Sequence, residues 1–212
     1  MTQGEVKGVL QQLCSAVSYM HSKCFFHRDL KTSNILVHRT GKVSICDFGL
    51  ARKFESPPRG DYTQVVVTLW YRPPEILLGE TRYGPEIDMW SLGCIFAELL
   101  TQKVIFAGQG EVDQLSKIFK MLGTPSTESW PGFQGLPHAN TLTIKGSKVS
   151  RLKDEFPSNS FSGKTYLDAA GFNLLSRMLC CNPRKRITAA EALKHDYFTT
   201  NPLASSVSWN FD

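Results

Sequence analysis

The 212-residue sequence lacks the features of a membrane-spanning or secreted protein. No apolar run is long enough to cross a bilayer, and the N-terminus carries no charged-then-apolar leader. The six cysteines stand apart or inside apolar runs, with no C-x-x-C pair and no metal-ligand spacing, which is typical of reduced thiols. We therefore expect no membrane association and a location in the nucleus, the cytoplasm or both.

The sequence also lacks a nucleic-acid-binding signature. Its formal net charge of +5 is spread along the chain rather than collected in a tail. The densest basic cluster, Arg184-Lys185-Arg186, has no interleaved aromatic side chains on which bases would stack. We interpret Arg184 and Lys185 as a solvated face and predict no direct contact with nucleic acid.

Residues 27–47 concentrate the groups that phosphoryl transfer requires. This stretch begins with H-R-D-L-x-x-x-N and continues with two β-like runs at 35–38 and 43–46 around a Thr40-Gly41 turn. Its last residue, Asp47, is the first of the motif Asp47-Phe48-Gly49. An H-R-D triplet alone more often marks a surface turn with a charge pair. The joint pattern instead favours a catalytic site.

Each polar group in this stretch has a distinct candidate role. A carboxylate orients the acceptor hydroxyl and takes its proton, and carboxylate and amide oxygens bind Mg²⁺ against the phosphates of ATP. Asp29 is the candidate proton acceptor, and Lys31 is the candidate cation for the transferring phosphoryl group. Asn34 and Asp47 are the candidate Mg²⁺ ligands.

Capping residues and apolar periodicity predict a mainly helical chain. Helices are expected from the Thr2–Glu5 capping box to about residue 23, at 87–100, 112–122 and 169–179, and after a second capping box formed by Thr188 and Glu191. The run 87–100 is apolar almost all round, so we expect it at the centre of the core. Residues 138–162 predict an ordered loop. Residues after Pro202 predict a disordered tail, in which Trp209 and Phe211 are candidates for docking on the surface.

The sequence resembles the eukaryotic protein kinases, and among them the cyclin-dependent kinases. VVTLWYRPPE at residues 66–75 is close to that group's VVTLWYRAPE, and residues 111–132 match its characteristic insert. K-T-S-N at 31–34 is similar to the PITSLRE-type and plant G-type kinases, whereas most of the group has K-P-Q-N or K-P-E-N. Pro73 and Asn182 stand where the family usually has Ala and Asp.

The resemblance implies a fold and its limits. We expect a mainly α, protein-kinase-like C-terminal lobe over residues 1–203, with a helical bundle around a buried central helix and a small β-hairpin that carries the catalytic and metal-binding loops. A flexible tail is expected at 204–212. The family's phosphate-covering glycine loop, strand lysine and helix glutamate have no counterpart in these residues, so the N-terminal β lobe is absent from this sequence.

The resemblance also implies roles for individual residues. Thr63 lies at the phosphorylation position of a polar and mobile activation segment, where a phosphate would pair with Arg28 and Arg52; an ordinary loop threonine is the alternative.

Thr68 is expected to hydrogen-bond toward Asp29 and Lys31, and Leu36 to form part of the adenine floor. Asp88 is expected to hold the H-R-D loop through its backbone N–H groups. Glu75 and Arg186 are expected to form a structural ion pair, and the wall for the substrate residue after the acceptor is expected to comprise Val66, Val67, Trp70 and Arg72.

Two functions from different classes follow. The first is a cyclin-dependent serine/threonine kinase that transfers the γ-phosphate of ATP to Ser/Thr-Pro sites, because the family's substrate wall prefers a proline, which has no N–H to leave unpaired. It would use Mg²⁺ and bind a cyclin in the full-length protein, and the isolated lobe would be inactive. The alternative is a truncated, catalytically inactive kinase that binds substrates or regulatory partners.

Overall fold

The computed structural model describes residues 1–55, 60–63, 66–158 and 166–207. These ranges are mainly helical, with two small antiparallel sheets of two strands each, which confirms the predicted fold class. The helices are α1 (Gln3–Ser22), α2 (Pro74–Leu77), α3 (Glu86–Thr101), α4 (Glu111–Leu122), α5 (Leu152–Glu155), α6 (Ala169–Met178) and α7 (Ala189–Leu193). The strands are β1 (Phe25–Phe26), β2 (Ile35–Val37), β3 (Val43–Ile45) and β4 (Arg52–Lys53). None of the described helices is both long and apolar enough to cross a membrane.

Helix α1 begins at the predicted capping box. The Thr2 hydroxyl accepts the Glu5 N–H at 3.3 Å, and the Glu5 carboxylate accepts the Thr2 N–H at 2.7 Å, so two of the free amides at the helix start are satisfied. The apolar stripe of α1 is buried and packs against α3 and α7. The same cap chemistry starts α6 at Asp168 and α7 at Thr188, as the sequence predicts.

Helix α3 forms the centre of the core, and every residue from Ile87 to Ala97 is buried. Gly93 allows α6 to approach closely, because a Cβ at this position would lie 2.9 Å from both Met178 and Leu179. The Trp90 ring stacks on Phe106, with ring centroids 5.9 Å apart. The buried α3 supplies a rigid base from which the polar residues at its two ends reach the loops around it.

The two sheets frame the H-R-D-L-x-x-x-N loop. Strands β2 and β3 pair in the register Ile35↔Ile45, and Gln12 of α1 holds their turn by accepting the Val43 N–H at 3.0 Å. Strand β1 precedes the loop and pairs with β4, which follows Asp47-Phe48-Gly49. The pairing of β1 with β4 therefore fixes where the chain enters the loop and where it continues after Asp47-Phe48-Gly49.

Two segments differ from the prediction. Residues 138–158 are not loop throughout, because α5 lies within them and buries Leu152, with Phe156 buried just beyond it. A one-turn helix with so few apolar residues has no readable period. In the tail, the Ser205 N–H donates to the Gly4 carbonyl at 2.9 Å, and Val207 is buried. Residues 159–162 of the predicted loop, residues 56–59 of the predicted mobile segment, and Trp209 and Phe211 lie outside the described residues.

Candidate active site

The catalytic loop, residues 27–34, is held by one buried carboxylate. Asp88, which is 1% exposed at the start of α3, accepts the backbone N–H of His27 at 2.8 Å and that of Arg28 at 2.9 Å. His21 Nε2 lies 2.9 Å from the same carboxylate. Arg28 has a φ of 69°, a left-handed conformation that costs about 1–3 kcal/mol and persists only where neighbouring contacts hold it. The bonds to Asp88 provide such contacts.

Asp29, Lys31 and Thr68 form one cluster at the centre of the site. Asp29 Oδ1 accepts the backbone N–H and the hydroxyl of Thr68, both at 2.9 Å. Lys31 Nζ donates to Asp29 Oδ2 at 2.7 Å and to Thr68 Oγ1 at 3.0 Å. The cluster joins the catalytic loop to the segment 66–72, which the sequence indicates as the substrate wall.

The charge state of Asp29 follows from these contacts. Burial alone would raise its pKa, but the hydrogen bonds from Lys31 and Thr68 favour the carboxylate and lower the pKa below its ordinary value. Asp29 is therefore ionised at neutral pH. An ionised carboxylate that is 8% exposed and fixed by Lys31 and by both donors of Thr68 is suited to receive a proton from one oriented hydroxyl.

Asn34 and Asp47 present oxygen atoms of the kind that Mg²⁺ binds. The Asn34 Nδ2 group donates to the Asp29 carbonyl at 2.9 Å, and its amide oxygen makes no hydrogen bond to any described residue. Asp47 is exposed, in a left-handed conformation with φ of 62°, and within the described ranges its carboxylate accepts only a 3.4 Å bond from the Gly49 N–H. Mg²⁺ is commonly held by one or two protein oxygens together with substrate phosphates. These two side chains fit such an ion.

Tyr83, a residue that the sequence analysis did not single out, lies between Arg28 and Thr63, two of the predicted regulatory residues. The Tyr83 hydroxyl contacts the Thr63 carbonyl at 2.5 Å and Arg28 Nη1 at 3.2 Å. Burial raises the pKa of Tyr83, and the charges of Arg28 and Arg52 oppose that rise. Thr63 itself is exposed. Nothing in the sequence around Tyr83 marks this contact, because it depends on the tertiary fold.

The substrate wall contains a strained valine. Val67 is buried with a φ of 63°, a conformation that β-branched side chains rarely adopt. Its carbonyl accepts two bonds from Arg72, from Nε at 3.1 Å and from Nη2 at 3.0 Å. Val66 beside it is also buried, and Trp70 is 41% exposed with its indole N–H donating to the Gly108 carbonyl. The wall therefore presents a carbonyl whose acceptor positions are already taken.

The remaining predicted residues lie at the borders of the site. Glu75 and Arg186 form a buried bidentate pair, with N–O distances of 2.7 and 2.8 Å. Asn182 accepts the Arg184 N–H at 3.1 Å and so caps the turn before Arg186, although the family usually has aspartate there. Leu36 is 56% exposed on the hairpin.

Comparisons with known proteins show which family this chain is similar to. Residues 1–198 match the family model of the protein kinase domain. The chain is 49% identical over 205 residues to cyclin-dependent kinase G-2 of Oryza sativa subsp. indica, covering 97% of this chain and 29% of the relative. It is 46% identical over 200 residues to cyclin-dependent kinase 11B of Homo sapiens, covering 94% of this chain and 24% of the relative.

A solved structure shares the fold. The crystal structure of the yeast RNA Pol II CTD kinase CTDK-1 complex superposes with a TM-score of 0.91 and 38% identity. The match covers 99% of this chain and 67% of that chain. This chain spans less than a third of the length of each of the two curated relatives, so it corresponds to only one part of them.

Proposed function

We propose that this chain, which belongs to the protein kinase family and within it to the cyclin-dependent kinases, carries the hydroxyl-activating and substrate-binding part of a serine/threonine kinase site that acts on Ser/Thr-Pro sequences. The observation that carries this proposal is the Asp29–Lys31–Thr68 cluster. It places an ionised proton acceptor, a cation and a hydroxyl within hydrogen-bonding distance of one another.

The proposed chemistry assigns one task to each residue. The hydroxyl of the substrate serine or threonine donates to Asp29, which aligns the oxygen for attack and takes the proton. The new O–P bond forms at the γ-phosphorus of ATP as the bond from that phosphorus to the bridging oxygen breaks, and ADP leaves with that oxygen. Lys31 provides positive charge where the transferring phosphoryl group is negative. ATP with Mg²⁺ supplies the phosphoryl group when bound, and Asn34 and Asp47 would hold the ion.

The preference for proline rests on Val67 and Arg72. A substrate residue with an N–H would need an acceptor at this wall, but the two Arg72 bonds occupy the Val67 carbonyl. An unpaired buried donor costs about 1–3 kcal/mol, whereas proline has no N–H to leave unpaired. Ser-Pro and Thr-Pro sites are therefore the proposed substrates.

Regulation is proposed through Thr63 and a cyclin. Arg28, which already contacts Tyr83 beside the Thr63 carbonyl, would pair with a phosphate on the exposed Thr63 side chain, and Arg52 would add a second cation. Two of the similar proteins are named as cyclin-dependent kinases. We propose the same kind of partner for the full-length protein.

A second candidate function rests on an exposed apolar surface. Tyr19, Phe25 and Phe48 are 66%, 46% and 53% exposed, and they line one cavity of about 190 Å³ between α1 and the Asp47-Phe48-Gly49 turn. Such clustered aromatic exposure is typical of a surface that binds another protein segment. A non-catalytic binding module is therefore the alternative function.

One experiment separates the two functions. The 212-residue chain and a longer product that contains it are each incubated with a cyclin, labelled ATP, Mg²⁺ and a Ser-Pro peptide. The chain contains the candidate Mg²⁺ ligands but no counterpart of the glycine loop and strand lysine that also hold the phosphates of ATP. We therefore expect transfer by the longer product and none by the chain alone. A longer product that is phosphorylated on Thr63 and binds its cyclin and the peptide, but transfers no label, would overturn the kinase proposal and favour the binding module.

A further inference from the structure

Thr32, Tyr71 and Glu98 form a second polar cluster next to the catalytic loop. The Tyr71 hydroxyl donates to Glu98 Oε2 at 2.6 Å, and the Thr32 hydroxyl donates to Glu98 Oε1 at 3.2 Å. The two hydroxyl oxygens lie 3.0 Å apart. The two oxygens of the Glu98 carboxylate therefore accept one hydrogen bond each, from two different hydroxyls.

The cluster is anchored in the core. Glu98 belongs to α3, and Tyr71 is 4% exposed, with its backbone carbonyl accepting the Ser91 hydroxyl of the same helix at 3.0 Å. Burial, and then the hydrogen bond to Glu98, raise the pKa of Tyr71, so its hydroxyl remains a donor at physiological pH. Tyr71 and Glu98 therefore present Thr32 with a fixed partner.

Thr32 connects Tyr71 and Glu98 to the residues of the candidate site. It directly follows Lys31, which holds Asp29, and Tyr71 lies three residues after Thr68, which holds the same carboxylate. The two segments are thus joined at two neighbouring places. The second junction adds to the bonds from Asp88 and Thr68 and restrains the orientation of residues 29–32 against the segment 66–72.

We infer that the Thr32 hydroxyl positions Lys31 and Asp29 by tying the catalytic loop to Tyr71 and Glu98, an inference that rests on the proposed function of this site. Most cyclin-dependent kinases have proline where this chain has Thr32. A proline ring fixes φ near −65° and also restricts the preceding residue, so it stiffens the loop through the backbone. Threonine provides no such restriction, and its side-chain bonds take over that task here.

The direct test uses amide hydrogen exchange measured by NMR on the chain itself, which requires no catalytic activity. The Thr68 N–H donates to Asp29 and therefore reports where that carboxylate lies. Thr32→Val keeps the shape of the side chain and removes the hydroxyl. We expect exchange at Thr68 to accelerate about tenfold or more, with the amides of α6 and α7 unchanged. Thr32→Ser, which restores the hydroxyl, should stay within about twofold of the wild type.

The matched control is Thr101→Val, which removes a hydroxyl of α3 that donates to the backbone carbonyls of Ala97 and Lys103 and accepts the Lys103 N–H, all within its own turn. It should leave Thr68 exchange unchanged. Unchanged exchange in Thr32→Val would overturn the inference. Equal acceleration throughout α6 and α7 would also overturn it, because the hydroxyl would then contribute general stability only.

A kinetic readout separates this inference from the proposed function. In a longer product that transfers phosphate, Thr32→Val should lower kcat about tenfold and leave the KM for ATP unchanged, and Thr32→Ser should restore kcat. If that product transfers no phosphate, the proposed function fails, while the exchange result on the chain still decides whether Thr32 positions Asp29. An equal fall in kcat for Thr32→Ser would contradict the role of the hydroxyl.

Discussion

At the residue scale, Asp29 is a carboxylate that its neighbours keep charged. Lys31 and both donors of Thr68 stabilise the ionised form strongly enough to outweigh the burial that opposes it. The proposed catalytic role of Asp29 and the stability of the fold therefore rest on the same contacts. A group placed in this way has a measurable effect on stability as well as on chemistry.

The pH dependence of stability should show this effect. The ordinary pKa of an aspartate carboxyl is near 3.8, and the folded pKa of Asp29 lies below it. Such a carboxylate stabilises the fold at pH values above the ordinary pKa, and this contribution is lost as the pH falls through the folded pKa. The free energy of unfolding of the wild type should therefore exceed that of the Asp29→Asn variant by a constant amount from pH 7 to pH 5. The difference should shrink below the ordinary pKa. Urea unfolding at several pH values measures it, and a difference that grows toward low pH would contradict the assignment.

Thr63 is the second residue whose role can be isolated. In the longer product with its cyclin, Thr63→Ala should lower turnover about tenfold or more, because one charge-assisted hydrogen bond is worth about 1.5–3 kcal/mol. The thermal unfolding midpoint should stay near that of the wild type, since the Thr63 side chain is exposed. Peptide phosphorylation measured together with the degree of Thr63 phosphorylation checks this. Full activity of Thr63→Ala would show that no phosphate is required there.

At the scale of elements, the segment 66–72 links the wall for the substrate to the catalytic loop. Arg72 occupies the Val67 carbonyl and also forms a 2.6 Å ion pair with Glu111 at the start of α4. In the proposed function, the first contact bears on substrate choice. The second fixes the position of the guanidinium.

Substitution of Arg72 should relax the choice of substrate. Arg72→Ala frees the Val67 carbonyl to accept an N–H, so the ratio of Ser-Pro to Ser-Ala peptide turnover should fall about two- to tenfold, the range expected for one hydrogen bond. Glu111→Gln is the control, since it removes the ion pair and leaves the Val67 bonds in place. A fall of the same size in Glu111→Gln would mean that the wall depends on α4 rather than on the carbonyl.

Elements were predictable where their determinants are local. Helices α1, α6 and α7 begin with caps that can be read within four residues, and β2 and β3 follow from two short apolar runs around a turn. The candidate site residues could be named from the sequence because they sit in motifs with fixed spacing, and their roles stay predictions. Tyr83 and the Thr32–Tyr71–Glu98 cluster could not be found in this way, since their partners lie 20 to 66 residues away and meet only in the tertiary fold.

At the scale of the whole molecule, one buried ion pair joins two segments that are far apart in the sequence. Glu75 and Arg186 are 111 positions apart and 1% and 5% exposed, and Arg186 also donates to the carbonyls of Cys180 and Glu86. The guanidinium lies 5.2 Å from the centroid of the Trp90 ring. Removing one partner would leave the other charge buried and unpaired.

Loss of this pair should destabilise the entire fold. Glu75→Ala should lower the free energy of unfolding by about 3–5 kcal/mol, the cost of leaving a buried charge alone. The exposed Asp61–Arg82 pair is the control, and Asp61→Ala should cost about 0–1 kcal/mol. Urea unfolding of both variants measures the difference. Equal and small costs would show that Glu75 and Arg186 do not hold the lobe together.

The central claim is that Asp29 is the proton acceptor of a phosphoryl-transfer site. The most direct measurement compares the wild type with Asp29→Asn in the longer, cyclin-bound product, with kcat for a Ser-Pro peptide and the KM for ATP determined in parallel. The variant loses the proton acceptor and keeps the side-chain shape, so kcat should fall by about 10²–10⁴-fold while the KM for ATP stays within about twofold. A variant that retains near-normal kcat would contradict the account.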